Sequence, residues 1–261
     1  MNMTSTSERI ITHIDSSVMT LTINRPDRKN ALTLSMYDNL TAALNRATED
    51  AEVRAVVIRG AEGTFTAGND LTDFMKNPPT SVDTPVFYFL KAIASFTKPL
   101  IAAVSGPAIG IGTTLLLHCD LVYADERAVF QLPFIRLGLV PEAGASLLLP
   151  RLAGHRRAAE LLMLGEKFDA AEAREIGLIN AQVPSGELSA YVQAKGEALA
   201  QLPPEAMRQT KALLRAPLAE ALNQVMIKEG EIFMTRLASP ETAEAIQAFF
   251  MKRAPDFSRF S

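Results

Sequence analysis

The first fifty residues predict a β-hairpin followed by an amphipathic helix. An apolar segment runs from Ile10 to Ile14, and side chains alternate from Val18 to Ile23, with the turn formers Asp15-Ser16-Ser17 between the two. Beyond Thr33, which is a candidate helix N-cap, apolar residues recur at helical spacing. They are Met36, Leu40, Ala43, Leu44 and Ala47.

The segment from Lys98 to Ala124 predicts a strand, a glycine-rich turn and a helix that ends near Asp120. Leu100 to Val104 is a short apolar segment typical of a covered strand. Gly110 and Gly112 let the backbone approach a ligand, and the first N–H groups of the following helix have no intrahelical acceptor. Such a turn can hold a phosphate, a carboxylate or an oxyanion.

Two nucleotide-binding motifs are excluded at this turn by their spacing. A P-loop requires Lys and then Ser or Thr after its last glycine, but Thr113 follows Gly112. A dinucleotide fingerprint that begins at Gly110 requires glycine at position 115, where the chain has leucine. An ordinary strand-to-helix turn without a ligand remains the alternative.

The remaining pattern alternates strands and helices and then becomes helical. Val53 to Ile58 is a predicted strand, residues 64–71 form a glycine-interrupted loop, and residues 86–93 carry the apolar face of a helix. This alternation predicts an α/β fold. From Leu188 onward the pattern is almost entirely helical, and we expect a core over residues 1–200 and a helical region over residues 201–261.

Composition favours a globular protein with a small ligand. The chain has 261 residues, 48% of them hydrophobic, so it can bury a sizeable core. Lysine and arginine total 26 against 29 acidic residues, and the net charge of −3 gives no basic field for nucleic acid. Any anionic ligand must therefore meet a local cluster, for which Arg25, Arg28 and Lys29 are the best candidates, although a solvated basic turn would look the same.

The cysteine, the histidines and the terminal residues indicate the cellular compartment and whether a metal site is expected. The single Cys119 excludes an internal disulfide and fits a reducing compartment, so we expect a cytoplasmic protein. Residues 1–7 lack a leader pattern, no apolar segment approaches the ~20 residues of a membrane span, and Arg259-Phe260-Ser261 is not a peroxisomal signal. The three histidines, His13, His118 and His155, lack metal-ligand spacing, so we expect no metal.

Five motifs together resemble the crotonase family, also called the enoyl-CoA hydratase/isomerase family, over residues 8 to 255. They are R-P-x-x-x-N-A-L from Arg25, F-x-A-G-x-D-L from Phe65, K-P-L-I-A-A-V-x-G-x-A-x-G-x-G from Lys98, C-D-L-V-Y-A from Cys119 and A-x-E-A-x-x-x-G-L-I from Ala170. The resemblance implies ββα units wound into a spiral, with C-terminal helices that build a homotrimer or a dimer of trimers. It also implies an acyl-CoA substrate and no separate cofactor, since CoA is part of the thioester.

The same resemblance assigns an oxyanion hole and a CoA site. Matched by motif, the backbone N–H groups of Asn69 and Ile111 hold the thioester oxygen. Two fixed amide donors of this kind stabilise the negative charge of an enolate. Family resemblance also predicts contacts to the CoA moiety from Arg25, Arg28, Lys29, Phe250 and Lys252.

Departures from the hydratase pattern indicate the reaction. The two catalytic glutamates of the hydratases correspond to Thr114 and Phe134, and Glu142 occupies the position of the single catalytic glutamate of the Δ3,Δ2-enoyl-CoA isomerases. The sequence G-N-D-L at Gly68 to Leu71 resembles the same subgroup. Around Glu142 the remaining predicted substrate contacts are Ala67, Gly68, Asp70, Leu71, Gly110, Thr114 and Phe134.

Apolar neighbours should raise the pKa of Glu142 toward that of a working base. A glutamate at a helix entrance, which favours the dipole of the helix that follows, is the structural alternative for this residue. Other open interpretations of the chain are a divergent hydratase or lyase and a catalytically silent CoA- or RNA-binding relative. A Clp-type serine protease is disfavoured because Gly110-Ile111-Gly112-Thr113 contains no serine.

Overall fold

The computed structural model describes residues 9–79, 81 and 83–260, and these form an α/β fold. Its strands are β1 Ile10–Asp15, β2 Val18–Ile23, β3 Ala55–Gly60, β4 Leu100–Val104, β5 Pro107–Ile109, β6 Leu121–Ala124, β7 Val129–Gln131, β8 Lys167–Asp169 and β9 Ala181–Gln182. Its α-helices are α1 Leu34–Glu49, α2 Leu71–Lys76, α3 Pro85–Ser95, α4 Ile111–Thr114, α5 Ala145–Ala153, α6 His155–Leu164, α7 Ala170–Glu175, α8 Leu188–Ala200, α9 Pro204–Arg215, α10 Ala219–Leu237 and α11 Pro240–Phe250.

A six-stranded sheet forms the centre, in the order β1-β2-β3-β4-β6-β9. The predicted hairpin is confirmed, because β1 and β2 pair antiparallel around Ser16 and Ser17, which both have positive φ. All later neighbours pair in parallel. The strand predicted from Val53 begins two residues later, at Ala55, because Arg54 and Ala55 first bond to the Ser17 carbonyl at the end of the hairpin turn.

Helices cover this sheet on both faces, which explains why its strands are apolar on both sides. The larger core lies under α1 and α3, where Phe65, Phe89 and Phe130 are fully buried. A smaller apolar cluster lies under α8, whose Gly196 approaches Val18 closely. A capping box of Asp169 and Glu172 opens α7.

A second sheet has three strands in the order β5-β7-β8, and β5 directly precedes Gly110 of the glycine-rich turn. The helix predicted to end near Asp120 is confirmed in its extent but is α-helical only in its first turn. One α-helical turn, α4, is followed by a 3-10 turn over Leu115–His118, and Asp120 then donates its N–H to the Leu100 carbonyl at 2.8 Å. The short helix supplies a smaller dipole than the predicted one, because the dipole grows with the number of aligned peptides.

The surroundings of the single cysteine make its thiol unreactive. Cys119 lies at the end of the 3-10 turn, and burial raises the pKa of its thiol to about 12. A thiol with this pKa is protonated at neutral pH and is a poor nucleophile. The residue therefore acts as a small, partly buried side chain.

Side chains of α9 attach the C-terminal helices to the core. Lys211 Nζ donates to the Lys98 carbonyl at 2.5 Å and to Asp120 Oδ2 at 2.6 Å, and Arg215 donates to the His118 carbonyl at 2.5 Å. Burial lowers the pKa of Lys211 to about 8, although the Asp120 charge opposes this change. The predicted division at residue 200 falls between α8 and α9.

The expectations about targeting signals, membrane spans and metal sites can be compared with the structure only over the described residues. Residues 1–7 and Ser261 lie outside the described residues, as do the targeting expectations attached to them. Over residues 9–79, 81 and 83–260, no helix has the length and apolar character needed to cross a membrane. The same residues contain no group of three or more His, Cys, Asp or Glu side chains arranged to hold a metal ion. The cytoplasmic location stays a prediction.

Candidate functional site

Two backbone segments meet at the centre of the candidate site. The Thr66 N–H donates to the Pro107 carbonyl at 2.9 Å, and the Ile109 N–H donates to the Thr66 carbonyl at 3.0 Å. A parallel bridge between Thr66 and Ala108 results. This bridge brings the loop of residues 66–70 against the turn that begins α4, as the motifs predicted.

Glycine is required on both segments because the two backbones are so close. Gly68 has a φ of +87°, and a Cβ built there would lie 2.7 Å from the Ile109 carbonyl oxygen. A Cβ on Gly112 would lie 2.7 Å from the Thr66 methyl carbon. Both distances are below those that real Cβ atoms adopt, so a side chain at either position would separate the segments.

The N–H groups of Asn69 and Ile111 lie on these segments. On either side of Asn69, the Leu32 N–H donates to the Gly68 carbonyl and the Asp70 N–H donates to the Leu32 carbonyl, both at 2.8 Å. Across residues 9–79, 81 and 83–260, neither the Asn69 N–H nor the Ile111 N–H donates to a protein acceptor. The arrangement therefore holds two backbone donors that a carbonyl oxygen can accept from.

Tyr37 supports this pair of segments, and the sequence analysis missed it as a site residue. Its hydroxyl donates to the side-chain oxygen of Asn69, and its ring packs on Phe89 with centroids 5.5 Å apart. Burial, with a contribution from the charge of Glu142, raises the pKa of Tyr37 well above its usual value. Helical spacing marked Tyr37 only as part of α1, because a core tyrosine and a site tyrosine give the same pattern.

Glu142 lies in the same region, buried to 8% exposure. Thr114, at one of the two hydratase glutamate positions, donates its hydroxyl to Glu142 Oε1 at 2.5 Å. Burial raises the pKa of Glu142 to about 8, the Thr114 hydrogen bond opposes this, and the charge of Glu229 adds to it. The carboxyl group can therefore exchange a proton near neutral pH.

The turn after Glu142 has an unusual backbone conformation. Ala143 and Gly144 have φ values of 61° and 73°, and positive φ is uncommon for alanine. His118 holds this turn, with Nε2 and the Ala143 carbonyl oxygen 2.7 Å apart. Since a carbonyl can only accept, Nε2 carries the proton, and burial lowers the pKa of His118 to about 4, so the ring is neutral. The sequence analysis gave His118 no role.

Phe134, at the other hydratase glutamate position, is a buried apolar residue. Its carbonyl accepts from the Leu137 and Leu139 N–H groups at 3.0 and 2.9 Å, which folds the chain back before Glu142. The two positions that the motifs match to hydratase glutamates therefore hold a hydroxyl, at Thr114, and a phenyl ring, at Phe134.

Within the predicted CoA cluster, Arg25 has internal partners. Its guanidinium donates to Asp70 Oδ2 at 2.6 Å and to the Ala31 carbonyl at 3.0 Å. Burial opposes the charge of Asp70, but the hydrogen bonds from Arg25, Asp73 and Thr72 outweigh it and lower the pKa of that carboxyl. Asp70 in turn caps α2, which begins at Leu71. This pair therefore ties the basic loop to the loop of residues 66–70.

Arg28 and Lys29 are exposed, and their backbone is fixed by the buried Asn30. The Asn30 side-chain amide donates to the carbonyls of Ala61 and Thr64 at 3.0 and 2.5 Å, and the Lys29 carbonyl accepts from the Ala67 N–H at 3.0 Å. The basic loop thus lies against the second predicted loop.

Phe250 and Lys252 lie at the end of α11 and are exposed. Phe250 contacts the ring of Phe249, and the Lys252 side chain forms no ion pair with any described residue. Helix α11 packs against the 3-10 turn of residues 135–137. The part of the chain that the structure describes gives neither residue a contact with the basic loop.

Comparison with known proteins supports the family predicted from the motifs. A family model for enoyl-CoA hydratase/isomerase matches residues 13–259. The solved structure of Pseudomonas aeruginosa OdaA is similar, with a TM-score of 0.91, 47% sequence identity, and coverage of 93% of this chain and 99% of that chain.

Curated relatives carry names for different reactions. Enoyl-CoA delta isomerase 2 of Rattus norvegicus is 36% identical over 95% of this chain. The chain spans 64% of the length of that isomerase. The 2,3-dehydroadipyl-CoA hydratase of Escherichia coli is 35% identical, over 96% of this chain and 98% of that protein.

Proposed function

Because this chain belongs to the enoyl-CoA hydratase/isomerase family, we propose that it is a Δ3,Δ2-enoyl-CoA isomerase, which converts 3-enoyl-CoA into trans-2-enoyl-CoA. One observation carries the choice within the family. Glu142 is a buried carboxyl group next to the paired backbone segments, while Thr114 and Phe134 stand at the two hydratase glutamate positions. A single acid–base group suffices for isomerisation, whereas the hydratases use two.

The proposed reaction begins with the thioester oxygen between the N–H groups of Asn69 and Ile111. Glu142 takes a proton from C2, and the electron pair of the C2–H bond enters the conjugated system to give a dienolate. The two N–H donors stabilise the charge on its oxygen, and losing one such donor typically costs roughly 3 to 4 kcal/mol of barrier. Glu142 then returns the proton to C4, so the C3–C4 double bond moves to C2–C3 and no atom is gained or lost.

The environment of Glu142 suits both proton transfers. Taking the proton requires the carboxylate, and returning it requires the acid, so a group with a pKa of about 8 can do both near neutral pH. The hydroxyl of Thr114 donates to Glu142 and holds one carboxyl oxygen. Thr114 is uncharged near neutral pH, so it does not supply the second acid–base group that a hydratase needs.

For the remainder of the substrate, we propose that Arg28 and Lys29 face the CoA phosphates and that Phe250 and Lys252 contact the CoA moiety of the same site or of a neighbouring subunit. Arg25 and Asp70 shape the loop that carries the cations, and Ala67, Gly68, Leu71 and Gly110 shape the backbone around the thioester. No separate cofactor is required, since CoA is part of the substrate.

We also propose a homotrimer or a dimer of trimers. Large apolar side chains are exposed on the C-terminal helices, among them Leu213 and Leu214 at 74% and 77% exposure. Burying such side chains between subunits would stabilise an oligomer. Sedimentation of the dilute protein tests this, and a monomer would contradict it.

The decisive experiment assays 3-enoyl-CoA and trans-2-enoyl-CoA with the wild type and with Glu142→Gln. The wild type should isomerise the first and hydrate the second poorly. The variant keeps the shape of the side chain and removes the base, so turnover should fall by roughly two to four orders of magnitude with CoA affinity nearly unchanged. Strong hydration that survives in the variant would instead support a hydratase with another water-activating group.

A further inference from the structure

Glu229 in α10 is buried to 6% exposure and directed at the turn that carries Glu142. Its Oε2 accepts from the Gly144 N–H at 2.6 Å, and its Oε1 accepts from the Ser146 N–H at 2.9 Å and from the Ser146 hydroxyl at 2.5 Å. Both carboxylate oxygens therefore accept hydrogen bonds from one turn, from three donor groups on the two residues Gly144 and Ser146. No proposed substrate contact involves Glu229.

This carboxylate caps α5 from a distant part of the chain. Helix α5 begins at Ala145, and Gly144 at its N-cap has no side chain with which to accept from the first N–H groups. Glu229 accepts from the Gly144 and Ser146 N–H groups in its place, and its negative charge lies at the positive end of the helix. The helix-entry role that the sequence left open for Glu142 is thus filled by Glu229. Glu142 is therefore not needed as a cap for α5 and is available for the proposed acid–base role.

Packing makes the position of the turn depend on α10. A Cβ on Gly144 would lie 2.3 Å from Leu222 Cδ1 and 3.5 Å from Met226 Cγ, both in α10. The turn itself is short, since the Ala145 N–H donates to the Glu142 carbonyl at 3.1 Å. A change in the position of α10 must therefore move the backbone of Glu142.

We propose that Glu229 is a positioning residue for the acid–base step. From the C-terminal helical region it fixes the backbone of the turn that carries Glu142 and places a second negative charge beside that carboxyl group. The proposal rests on the proposed function of Glu142. It makes α10 part of the catalytic machinery as well as part of the predicted oligomerisation region.

The charged and titratable groups around Glu142 make this testable by pH. They are Tyr37 from α1, His118 from the 3-10 turn and Glu229 from α10, together with the Thr114 hydroxyl from α4. His118 and Tyr37 are neutral near neutral pH because of their burial. Burial raises the pKa of Glu229, while its three donors oppose this and favour the carboxylate. Glu229 is therefore the neighbour whose charge affects Glu142.

Two substitutions separate the charge of Glu229 from its geometry. Glu229→Gln keeps the size but removes the charge, so the pKa of Glu142 should fall and the acid limb of the kcat profile should move to lower pH. Glu229→Asp keeps the charge but shortens the side chain, so the limb should stay in place. In both variants kcat should fall by about 10- to 100-fold, as displaced catalytic groups do, with KM changing much less.

Glu244→Gln is the matched control, because Glu244 is also a buried carboxylate of the C-terminal helices. It pairs with Arg253 at 2.5 Å and Arg259 at 2.7 Å and makes no hydrogen bond to residues 142–146. This variant should lose stability without moving the pH profile. An equal movement in Glu244→Gln and Glu229→Gln would overturn the proposal.

A direct titration keeps the test independent of activity. The infrared carboxyl band of Glu142 is identified by its loss in Glu142→Gln and titrated in the wild type and in Glu229→Gln. A midpoint that falls in Glu229→Gln supports the positioning role even if the wild type proves not to be an isomerase, whereas an unchanged midpoint overturns it. If Glu229→Gln does not fold, Ser146→Ala keeps the charge and removes one hydrogen bond that holds the turn. The midpoint should then stay in place while kcat falls, and an unchanged kcat overturns the proposal.

Discussion

The two halves of the candidate site are built in different ways. The half that carries the Asn69 and Ile111 N–H groups consists of backbone held by backbone, with glycine where the two segments touch. The half that carries Glu142 consists of a turn held by the side chains of Thr114, His118 and Glu229. The proposed oxyanion donors of the first half are backbone N–H groups, which do not titrate, while the second half contains Glu142, the proposed acid–base group.

Because of this difference, we expect the two halves to tolerate different changes. Backbone geometry does not depend on most side-chain identities, so the first half should be sensitive to added volume and insensitive to pH. Side-chain support depends on charge and hydrogen bonding, so the second half should respond to pH and to isosteric substitutions. The predictions below test this contrast, from the largest expected effect to the smallest.

The largest effect should come from Gly68→Ala, since its Cβ would meet the Ile109 carbonyl and φ is positive. The Asn69 N–H should move away from the thioester oxygen, and kcat should fall by about 10²- to 10³-fold. Its dependence on pH should stay that of the wild type. Gly186→Ala is the control, because a Cβ at Gly186 meets no atom within 4 Å, and it should leave turnover unchanged. A fully active Gly68→Ala protein would contradict the two-segment oxyanion site.

The second prediction concerns stability and the charge of Glu142. Its pKa is about 8 when folded against 4.5 for the free group, so the native protein holds a proton that the unfolded chain releases between these pH values. The wild type should therefore lose stability as pH rises from about 5 to 8. Glu142→Gln should not share this loss, and its gain over the wild type should reach several kcal/mol above pH 8, at about 1.4 kcal/mol per pKa unit.

Chemical unfolding of both proteins at pH 5 and pH 9 measures this gain. At each pH, the difference between the unfolding free energies of the two proteins removes the contributions of other titrating groups. A constant difference across this range would mean that Glu142 is ionised in the native protein at neutral pH. Glu142 would then not be the group that makes this half of the site respond to pH near neutrality.

The third prediction separates Arg25 from Arg28 within the basic loop. Arg25→Met removes the partner of Asp70, with both side chains largely buried, and should cost roughly 1.5 to 3 kcal/mol of unfolding free energy. Arg28→Ala removes an exposed cation and should leave stability unchanged while weakening CoA binding several-fold at low salt. Calorimetric titration with CoA and thermal unfolding of both variants test the pair. Unchanged CoA affinity in Arg28→Ala would remove Arg28 from the site.

The smallest effect is expected for Tyr37→Phe. This variant removes the hydroxyl that donates to the Asn69 side chain and keeps the ring contact with Phe89. A lost hydrogen bond is worth roughly 0.5 to 1.5 kcal/mol, so kcat should fall by about 2- to 12-fold. The exposed Tyr88→Phe should have no effect. Equal activity in the two variants would show that the Asn69 backbone is held without Tyr37.

The sequence by itself determined the fold class, the hairpin, the central strand and the backbone half of the site. Hydrophobic periodicity is local, and glycine at Gly68, Gly110 and Gly112 is a property of the backbone at those positions. The family motifs contain the same glycines, so the paired segments could be predicted before any contact was known. Glu142 itself was also predicted, because the family resemblance matches it to the single catalytic glutamate of the isomerases.

Only the tertiary structure decided what surrounds Glu142 and what Arg25 does. Glu229 lies 83 residues from Ser146 in sequence, and a glutamate within an amphipathic helix looks solvent-exposed in the pattern. Likewise, the pairing of Arg25 with Asp70 spans 45 residues, and the sequence showed only three nearby cations. Side chains that act across such separations leave no periodic signal, because their positions depend on how the helices pack. For this reason the contact of Glu229 with the turn that follows Glu142 could be found only in the folded chain.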